Sequence, residues 1–208
     1  MLTLIYKEFL ITRITLIFYI VISLLYNFNI LSPGPPLPLV TMLATFFQFM
    51  VAGQEDKNNS HIFINSLPVT RKQVVVAKYL FSILVGLLLI GLTVVIQWLM
   101  PMYPSGNGFV EIIYAVSAIC FFTAAFYPLY FWLGAQFVRI GIFAFFIFVF
   151  AVAPILVNIA MKKNCWGILG LFLAMPDHLL AALVLGMTIV LMVISAALSI
   201  RIYGRKDF

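Results

Sequence analysis

The densest group of charged and polar side chains in this 208-residue sequence lies in residues 55–72, EDKNNSHIFINSLPVTRK. Glu55 and Asp56 stand at one end of this segment, and Arg71 and Lys72 stand at the other. Ion pairs and hydrogen bonds from such side chains give a protein surface its specificity for a partner. Because long apolar runs flank the segment on both sides, we expect a soluble partner to bind there.

The second half of this segment predicts the start of a helix. Pro68 ends any helix before it and pushes Leu67 toward an extended conformation. Thr70 and Gln73 match the capping box, in which the side chain of each residue satisfies a free backbone N–H of the other. We therefore predict that a helix begins near Arg71.

The first half of the segment, from Glu55 to Ser66, is long enough for about three helical turns. Ile62, Phe63 and Leu67 would then form a small apolar patch, in which Phe63 and Leu67 lie one turn apart. A short helix of this kind suits docking into a groove of a partner. A solvated connector whose apolar side chains rest on lipid explains the same pattern equally well.

No motif for catalysis or metal binding accompanies these residues. The sequence contains neither a GxxxxGK[ST] phosphate-binding loop nor an HExxH zinc motif. The histidines His61 and His178 and the cysteines Cys120 and Cys165 lack the spacing of metal ligands or of a redox pair. We expect no enzymatic activity, cofactor or metal in this chain.

The composition places most of the chain in a membrane. Of its residues 65% are hydrophobic and 9% are charged, whereas soluble domains carry about 25% charged residues. The apolar residues form long unbroken runs, which indicates helices rather than the alternating pattern of a β-barrel. The sequence thus predicts an all-α integral membrane protein with a single transmembrane domain over residues 1–208.

Six apolar runs are near the roughly 20 residues that a spanning helix needs. They cover Ile14–Leu31, Leu37–Gly53, Val74–Met100, Val110–Leu133, Ile140–Val157 and Leu179–Ile200. The third helix would be longer than the membrane is thick, since residues 71–100 would measure about 45 Å. We expect its first turns to tilt or to project into the cytoplasm, with Lys78 extending to the lipid headgroups.

Basic residues set the predicted orientation. With the N-terminus inside, ten of the 12 Lys and Arg residues fall on the cytoplasmic side, and only Lys162 and Lys163 fall outside. The ten are Lys7, Arg13, Lys57, Arg71, Lys72, Lys78, Arg139, Arg201, Arg205 and Lys206. This bias predicts that both termini are cytoplasmic, and it explains the net charge of +6 without nucleic-acid binding.

Two further segments each allow two interpretations. In residues 1–13, apolar side chains recur at helical spacing, which predicts an amphipathic helix at the cytoplasmic interface. The same residues could instead simply begin the first span. The loop over residues 158–177 contains an apolar piece, residues 166–172, that is too short to span. It predicts either a re-entrant or interfacial helix or an extension of the fifth span.

Several of these residues together resemble a known family. The segments SLPVTRK (66–72) and VVAKY (75–79), with Glu55 before them, resemble the signature of ABC-2 type permeases, which are membrane subunits of ABC exporters. The opening LIYKEF (4–9) and the ending YGRKDF (203–208) are also similar to that family. The resemblance covers essentially the whole chain.

The resemblance implies a subunit that dimerises, with itself or with a paralogous permease, and binds separate cytoplasmic ATPase subunits that hold ATP and Mg²⁺. It implies that residues 55–72 contain the coupling helix that docks on the ATPase. Residues 1–13 would form the elbow helix, and residues 158–177 would contain the extracellular gate. The predicted coupling residues are Glu55, Asp56, Ile62, Phe63, Ser66, Leu67, Pro68, Arg71 and Lys72.

Within this family, the short chain looks most like permeases that export amphipathic or antimicrobial peptides, such as the phenol-soluble modulins of Gram-positive bacteria. This implies a peptide exporter in the plasma membrane. The predicted spans contain few ionisable side chains, which argues against an ion-coupled carrier and fits an apolar or amphipathic cargo. The alternative from another class is a non-transporting immunity or sensor protein that sequesters a peptide.

Overall fold

The computed structural model describes residues 2–31, 34–57, 70–100, 108–134, 140–141 and 175–205, together with residues 151, 155 and 159. Five long helices lie within these ranges. They are α1 (Leu2–Asn27), α2 (Pro36–Lys57), α3 (Arg71–Leu99), α4 (Gly108–Leu133) and α5 (Asp177–Gly204). Each is long and apolar enough to cross a membrane, which confirms the prediction of a multi-pass helical protein.

The five helices correspond to the first, second, third, fourth and sixth predicted spans. The fifth predicted span, Ile140–Val157, falls almost entirely outside the described residues, so the count of six stays a prediction. Most of the predicted coupling segment, residues 58–69, and residues 158–174 of the predicted loop also fall outside them, apart from residue 159.

The first helix includes the residues predicted to lie at the cytoplasmic interface, 1–13, from Leu2 onward. Residues Leu2–Asn27 form one continuous helix, so no break separates an interfacial helix from the first span. Glu8 and Thr12, both within the supposed interfacial segment, are buried in the bundle. Residues 2–13 are thus continuous with the helix of the first span, and their position at the membrane interface stays a prediction.

The first helix also ends earlier than the predicted Leu31. Asn29 adopts a left-handed backbone conformation with a φ of 59°. Its N–H donates to the carbonyl of Tyr26 at 3.1 Å, and the N–H of Ile30 donates to that of Leu25 at 3.1 Å. This is the Schellman pattern, which satisfies the last carbonyls and stops the helix.

Cross-helix contacts show that α1 and α3 run parallel. Lys78 lies beside Glu8 near the beginnings of the two helices. Near their ends, Asn27 donates a hydrogen bond to the hydroxyl of Thr93 at 3.2 Å. Early residues of the two helices contact each other, and so do late residues. The two helices therefore begin at the same end of the bundle.

The ends of α4 and α5 lie at that same end. The hydroxyl of Tyr79, early in α3, bonds to Ser199, late in α5, at 2.8 Å, so these two helices are antiparallel. The rings of Phe131 and Tyr203, in the last turns of α4 and α5, have centroids 5.1 Å apart. We call this the basal end, where α1 and α3 begin and where α4 and α5 end.

Two hydrophobic clusters fill the bundle. The cluster at the basal end includes Phe49, Val75, Tyr127, Phe131 and Tyr203, and the other includes Tyr19, Phe47, Phe81, Leu89 and Ile119. In the second cluster, α3 comes close to α4 at Gly86. A Cβ atom there would lie 2.9 Å from both Cδ1 and Cγ2 of Ile119, so this close approach requires glycine.

Candidate functional site

The start of α3 carries the capping box that the sequence predicts. Thr70 precedes the helix with an extended backbone, φ −75° and ψ 144°. Its hydroxyl accepts from the N–H of Gln73 at 3.4 Å, and Oε1 of Gln73 accepts from the N–H of Thr70 at 3.1 Å. Two N–H groups that a helix start leaves unbonded are thus satisfied. The prediction that α3 begins near Arg71 is confirmed.

The structure describes four of the predicted coupling residues. Glu55 and Asp56 belong to the last turn of α2. Arg71 and Lys72 are the first residues of α3, and both are exposed. The other predicted coupling residues fall outside the described part of the chain, namely Ile62, Phe63, Ser66, Leu67 and Pro68. The docking helix between α2 and α3 therefore stays a prediction.

Arg71 has a contact that the sequence did not reveal. Its Nη1 donates to the carbonyl of Gly204 at 2.9 Å and to that of Tyr203 at 3.5 Å. The last carbonyls of a helix have no partner within it, and the helix dipole favours a cation beside them. Arg71 thereby connects the first turn of α3 to the last turn of α5.

Lys78 does not extend to the headgroups, so that prediction was wrong. Its Nζ lies 3.5 Å from Oε1 of Glu8, and each of these two side chains is only 4% exposed. The Nζ of Lys7 lies 3.4 Å from the same carboxylate oxygen. The buried carboxylate offers Lys78 a charge partner inside the bundle, and charges inside a membrane helix bundle characteristically pair in this way.

Tyrosine and serine hydroxyls extend this polar contact from α3 into α4 and α5. The hydroxyl of Tyr79 bonds to those of Ser195 at 2.7 Å and Ser199 at 2.8 Å. The hydroxyl of Tyr127 donates to the backbone carbonyl of Lys78 at 3.2 Å. Hydrogen bonds between membrane helices contribute about 0.6 kcal/mol each on average. Together with the ion pair, they attach the beginning of α3 to α1, α4 and α5.

We refer to these side chains as the basal polar cluster, and they are Glu8, Lys78, Tyr79, Tyr127, Ser195 and Ser199. The sequence contains an indication that Glu8 and Lys78 pair, and the sequence-based prediction did not include this pair. Glu8 is the only acidic residue before Glu55, and Lys78 stands in an otherwise apolar stretch of the third span. Lone charges of opposite sign in apolar helices are costly unless they pair, which favours a contact between them.

The chemistry of this site is attachment between helices. Within the described ranges, no three His, Cys, Asp or Glu side chains are grouped as metal ligands would be. The ion pair of Glu8 and Lys78 and the hydroxyl contacts of Tyr79 and Tyr127 connect the beginning of α3 to α1, α4 and α5.

A protein-family profile matches nearly the whole chain. The family is described as ABC-2 family transporter protein, and its profile matches residues 3–204. No curated protein and no solved structure gives a match. The matched range includes all of the segment between α2 and α3 and every member of the basal polar cluster.

Proposed function

The chain belongs to the ABC-2 transporter family, and we propose that it is the permease subunit of an ATP-driven exporter of amphipathic peptides. Family membership and five helices suited to crossing a membrane make it a membrane subunit of an ABC transporter. The direction of transport and the peptide cargo belong to the proposal. The family match over residues 3–204 is the observation that carries it.

The partner implied by this family is an ATPase, which we propose to be a separate cytoplasmic chain. The sequence itself has no phosphate-binding loop of the GxxxxGK[ST] type. We place the docking site in residues 55–72, between the end of α2 and the start of α3. The capping box of Thr70 and Gln73 supports this placement, because it gives the segment a defined connection to the 29-residue helix α3.

An amphipathic peptide suits the surfaces that these helices offer. One face of α5 exposes a row of apolar side chains, Leu183, Met187, Val190 and Ile194. An apolar wall can accept the apolar side of a peptide without the charged path that ion carriers need. We propose that two permease copies, or this chain and a paralogous permease, enclose the cargo path.

The directions of the helices support six spans with both termini in the cytoplasm. The first helix begins and the last helix ends at the basal end, as the contacts of Lys78 with Glu8 and of Arg71 with Gly204 indicate. A chain that begins and ends on one side of a membrane crosses it an even number of times. An even number supports a sixth crossing in addition to the five helices, and exposed basic residues at the basal end favour the cytoplasm for that end.

Co-purification with a candidate ABC ATPase tests the proposal. Phe63→Asp places a charge in the predicted apolar patch and should abolish ATPase binding, and Glu55→Arg should weaken it. Phe109→Asp makes the same substitution at the end opposite the basal end, where Phe109 is 75% exposed, and should leave binding intact. Peptide efflux, measured in cells that contain both chains, should follow ATPase binding.

Two results would contradict the proposal in different ways. An inserted Phe63→Asp permease that binds the ATPase and transports like the wild type would refute the docking site. Peptide protection that persists after the ATPase gene is deleted would refute ATP-driven export. It would favour instead the membrane protein that sequesters a peptide.

A further inference from the structure

The buried ion pair between α1 and α3 lies close to the point where the predicted docking segment enters α3. Lys78 is seven residues after Arg71, which places it about 10 Å along the helix axis. Its ammonium nitrogen is 3.5 Å from Oε1 of Glu8. Because the capping box fixes the helix start, a displacement of the docking segment moves Lys78 relative to α1.

A buried ion pair is a poor source of stability. Removing two charges from water costs about as much as their attraction returns, and apolar side chains of similar size often replace such pairs without loss. Charged side chains inside a membrane bundle more commonly mark a functional site. The pair of Glu8 and Lys78 connects α1 to α3, but net stability alone does not account for burying two charges there.

Within the described part of the chain, the carboxylate of Glu8 lies beside ammonium groups from two different helices. Lys78 approaches it from α3, whereas Lys7 approaches it from α1 itself, with its Nζ 3.4 Å from the same oxygen. Lys7 is more exposed than Lys78, at 15% against 4% of the side chain. When α3 moves away, Lys7 stays beside Glu8, so the carboxylate keeps a counter-ion and separation costs less.

We propose that Glu8 and Lys78 form a releasable latch through which α3 moves α1 during the transport cycle, with Lys7 holding the carboxylate when the latch is open. In this role they are positioning residues, which act on the cargo path through the helices. The inference rests on the proposed function, because ATPase docking supplies the motion. The hydrogen bond from Tyr127 to the carbonyl of Lys78, at 3.2 Å, keeps the same turn of α3 in contact with α4.

The test measures ATPase assembly, ATP hydrolysis and peptide transport with the permease and its ATPase in lipid vesicles, each normalised to inserted protein. Lys78→Met keeps the length of the side chain and leaves Glu8 beside Lys7. It should preserve assembly and reduce peptide transported per ATP by at least about fivefold, the lower bound of typical coupling between sites. Glu8→Gln combined with Lys78→Met leaves neither member of the pair buried with an unpaired charge, and it should assemble with the ATPase but show the same loss of transport per ATP.

Thr93→Val is the matched control. It removes the hydroxyl that Asn27 bonds at 3.2 Å, a polar contact between the same two helices, α1 and α3. This contact lies about 22 Å further along α3 than Lys78. Thr93→Val should leave transport per ATP unchanged, because it weakens packing of these helices away from the basal end.

Three results would overturn the latch. They are normal transport per ATP by Lys78→Met, an equal loss in Thr93→Val, and recovery of transport per ATP by the combined variant Glu8→Gln with Lys78→Met. If Lys78→Met alone does not insert, the combined variant Glu8→Gln with Lys78→Met decides, because it removes both charges of the pair and should assemble but lose transport per ATP. Failure of the wild-type permease to assemble with any ATPase would instead overturn the proposed function itself.

Discussion

The guanidinium of Arg71 closes the last turn of α5 with a 2.9 Å hydrogen bond to the carbonyl of Gly204. These residues are 133 positions apart in the sequence, yet they join the segment between α2 and α3 to the end of the final helix. A signature residue that the sequence assigned to partner binding thus has a contact within its own chain. Arg71 attaches α3 to α5 as Lys78 attaches α3 to α1.

Replacing Arg71 with Gln should loosen the end of α5. The substitution removes a charged donor from the carbonyls of Tyr203 and Gly204, which costs about 1 kcal/mol for a partly exposed contact. Amide hydrogen exchange in the last turn of α5 should accelerate by about fivefold, the equivalent of that free energy.

The neighbouring exposed residue gives the control for this measurement. Lys72→Gln removes the same charge one position away, on an exposed side chain for which no hydrogen bond is found among the described residues. Exchange at the end of α5 should be unchanged in this variant. Equal acceleration by both variants would show that net charge, and not the Arg71 contact, protects that turn.

The capping box should determine how firmly α3 begins. Thr70→Ala removes the side-chain acceptor of the N–H of Gln73, at 3.4 Å, and should cost about 1 kcal/mol, whereas Thr70→Ser keeps the oxygen. Amide exchange in the first turn of α3 should accelerate in Thr70→Ala alone. We also expect Thr70→Ala to lower peptide transport per ATP, because a frayed turn transmits motion poorly. Identical exchange in the two variants would contradict the role of the cap.

The start of α3 could be predicted because its determinants lie within four neighbouring residues. The contacts of α3 with other helices could not, since Glu8 and Lys78 are 70 positions apart and meet only when α1 and α3 are adjacent. The boundaries of α1 failed for a related reason. Charged residues at positions 7, 8 and 13 interrupt the apolar run, so the span seemed to begin at Ile14. Burial of Glu8 beside Lys78 lets the helix continue through them.

The close approach of α3 and α4 at Gly86 should tolerate no side chain. A Cβ there would lie 2.9 Å from Cγ2 of Ile119, a buried β-branched residue with few alternative rotamers in a helix. Gly86→Ala should destabilise the bundle by about 1 kcal/mol or more through overpacking. Gly91→Ala, on the same helix but facing open space, should stabilise it by up to about 1 kcal/mol through helix propensity.

Thermal unfolding of the two glycine variants in one detergent measures this difference. The sign of the change in the unfolding midpoint is decisive, since Gly86→Ala should lower the midpoint and Gly91→Ala should not. A Gly86→Ala protein as stable as Gly91→Ala would show that Ile119 moves aside at little cost.

Cysteine labelling should place the beginning of α3 and the end of α5 on the cytoplasmic side. In a chain with Cys120 and Cys165 replaced, single cysteines would be introduced at Lys72, Arg205 and His178, which are all exposed. A membrane-impermeant maleimide should label His178→Cys in intact cells. It should label Lys72→Cys and Arg205→Cys only after the cells are opened, because positively charged ends stay inside.

Expression without the ATPase keeps a bound partner from shielding Lys72, and a cysteine at the fully buried Leu89 controls for unfolding. The labelling pattern tests the number of membrane crossings and the orientation of the chain separately. Labelling of Lys72→Cys and Arg205→Cys from opposite sides would exclude an even number of crossings and so refute six spans. Labelling of both from outside would keep the even count and invert the orientation, which would put the docking segment out of reach of ATP. Only protection of both positions, with His178→Cys labelled, agrees with a permease driven at its basal end.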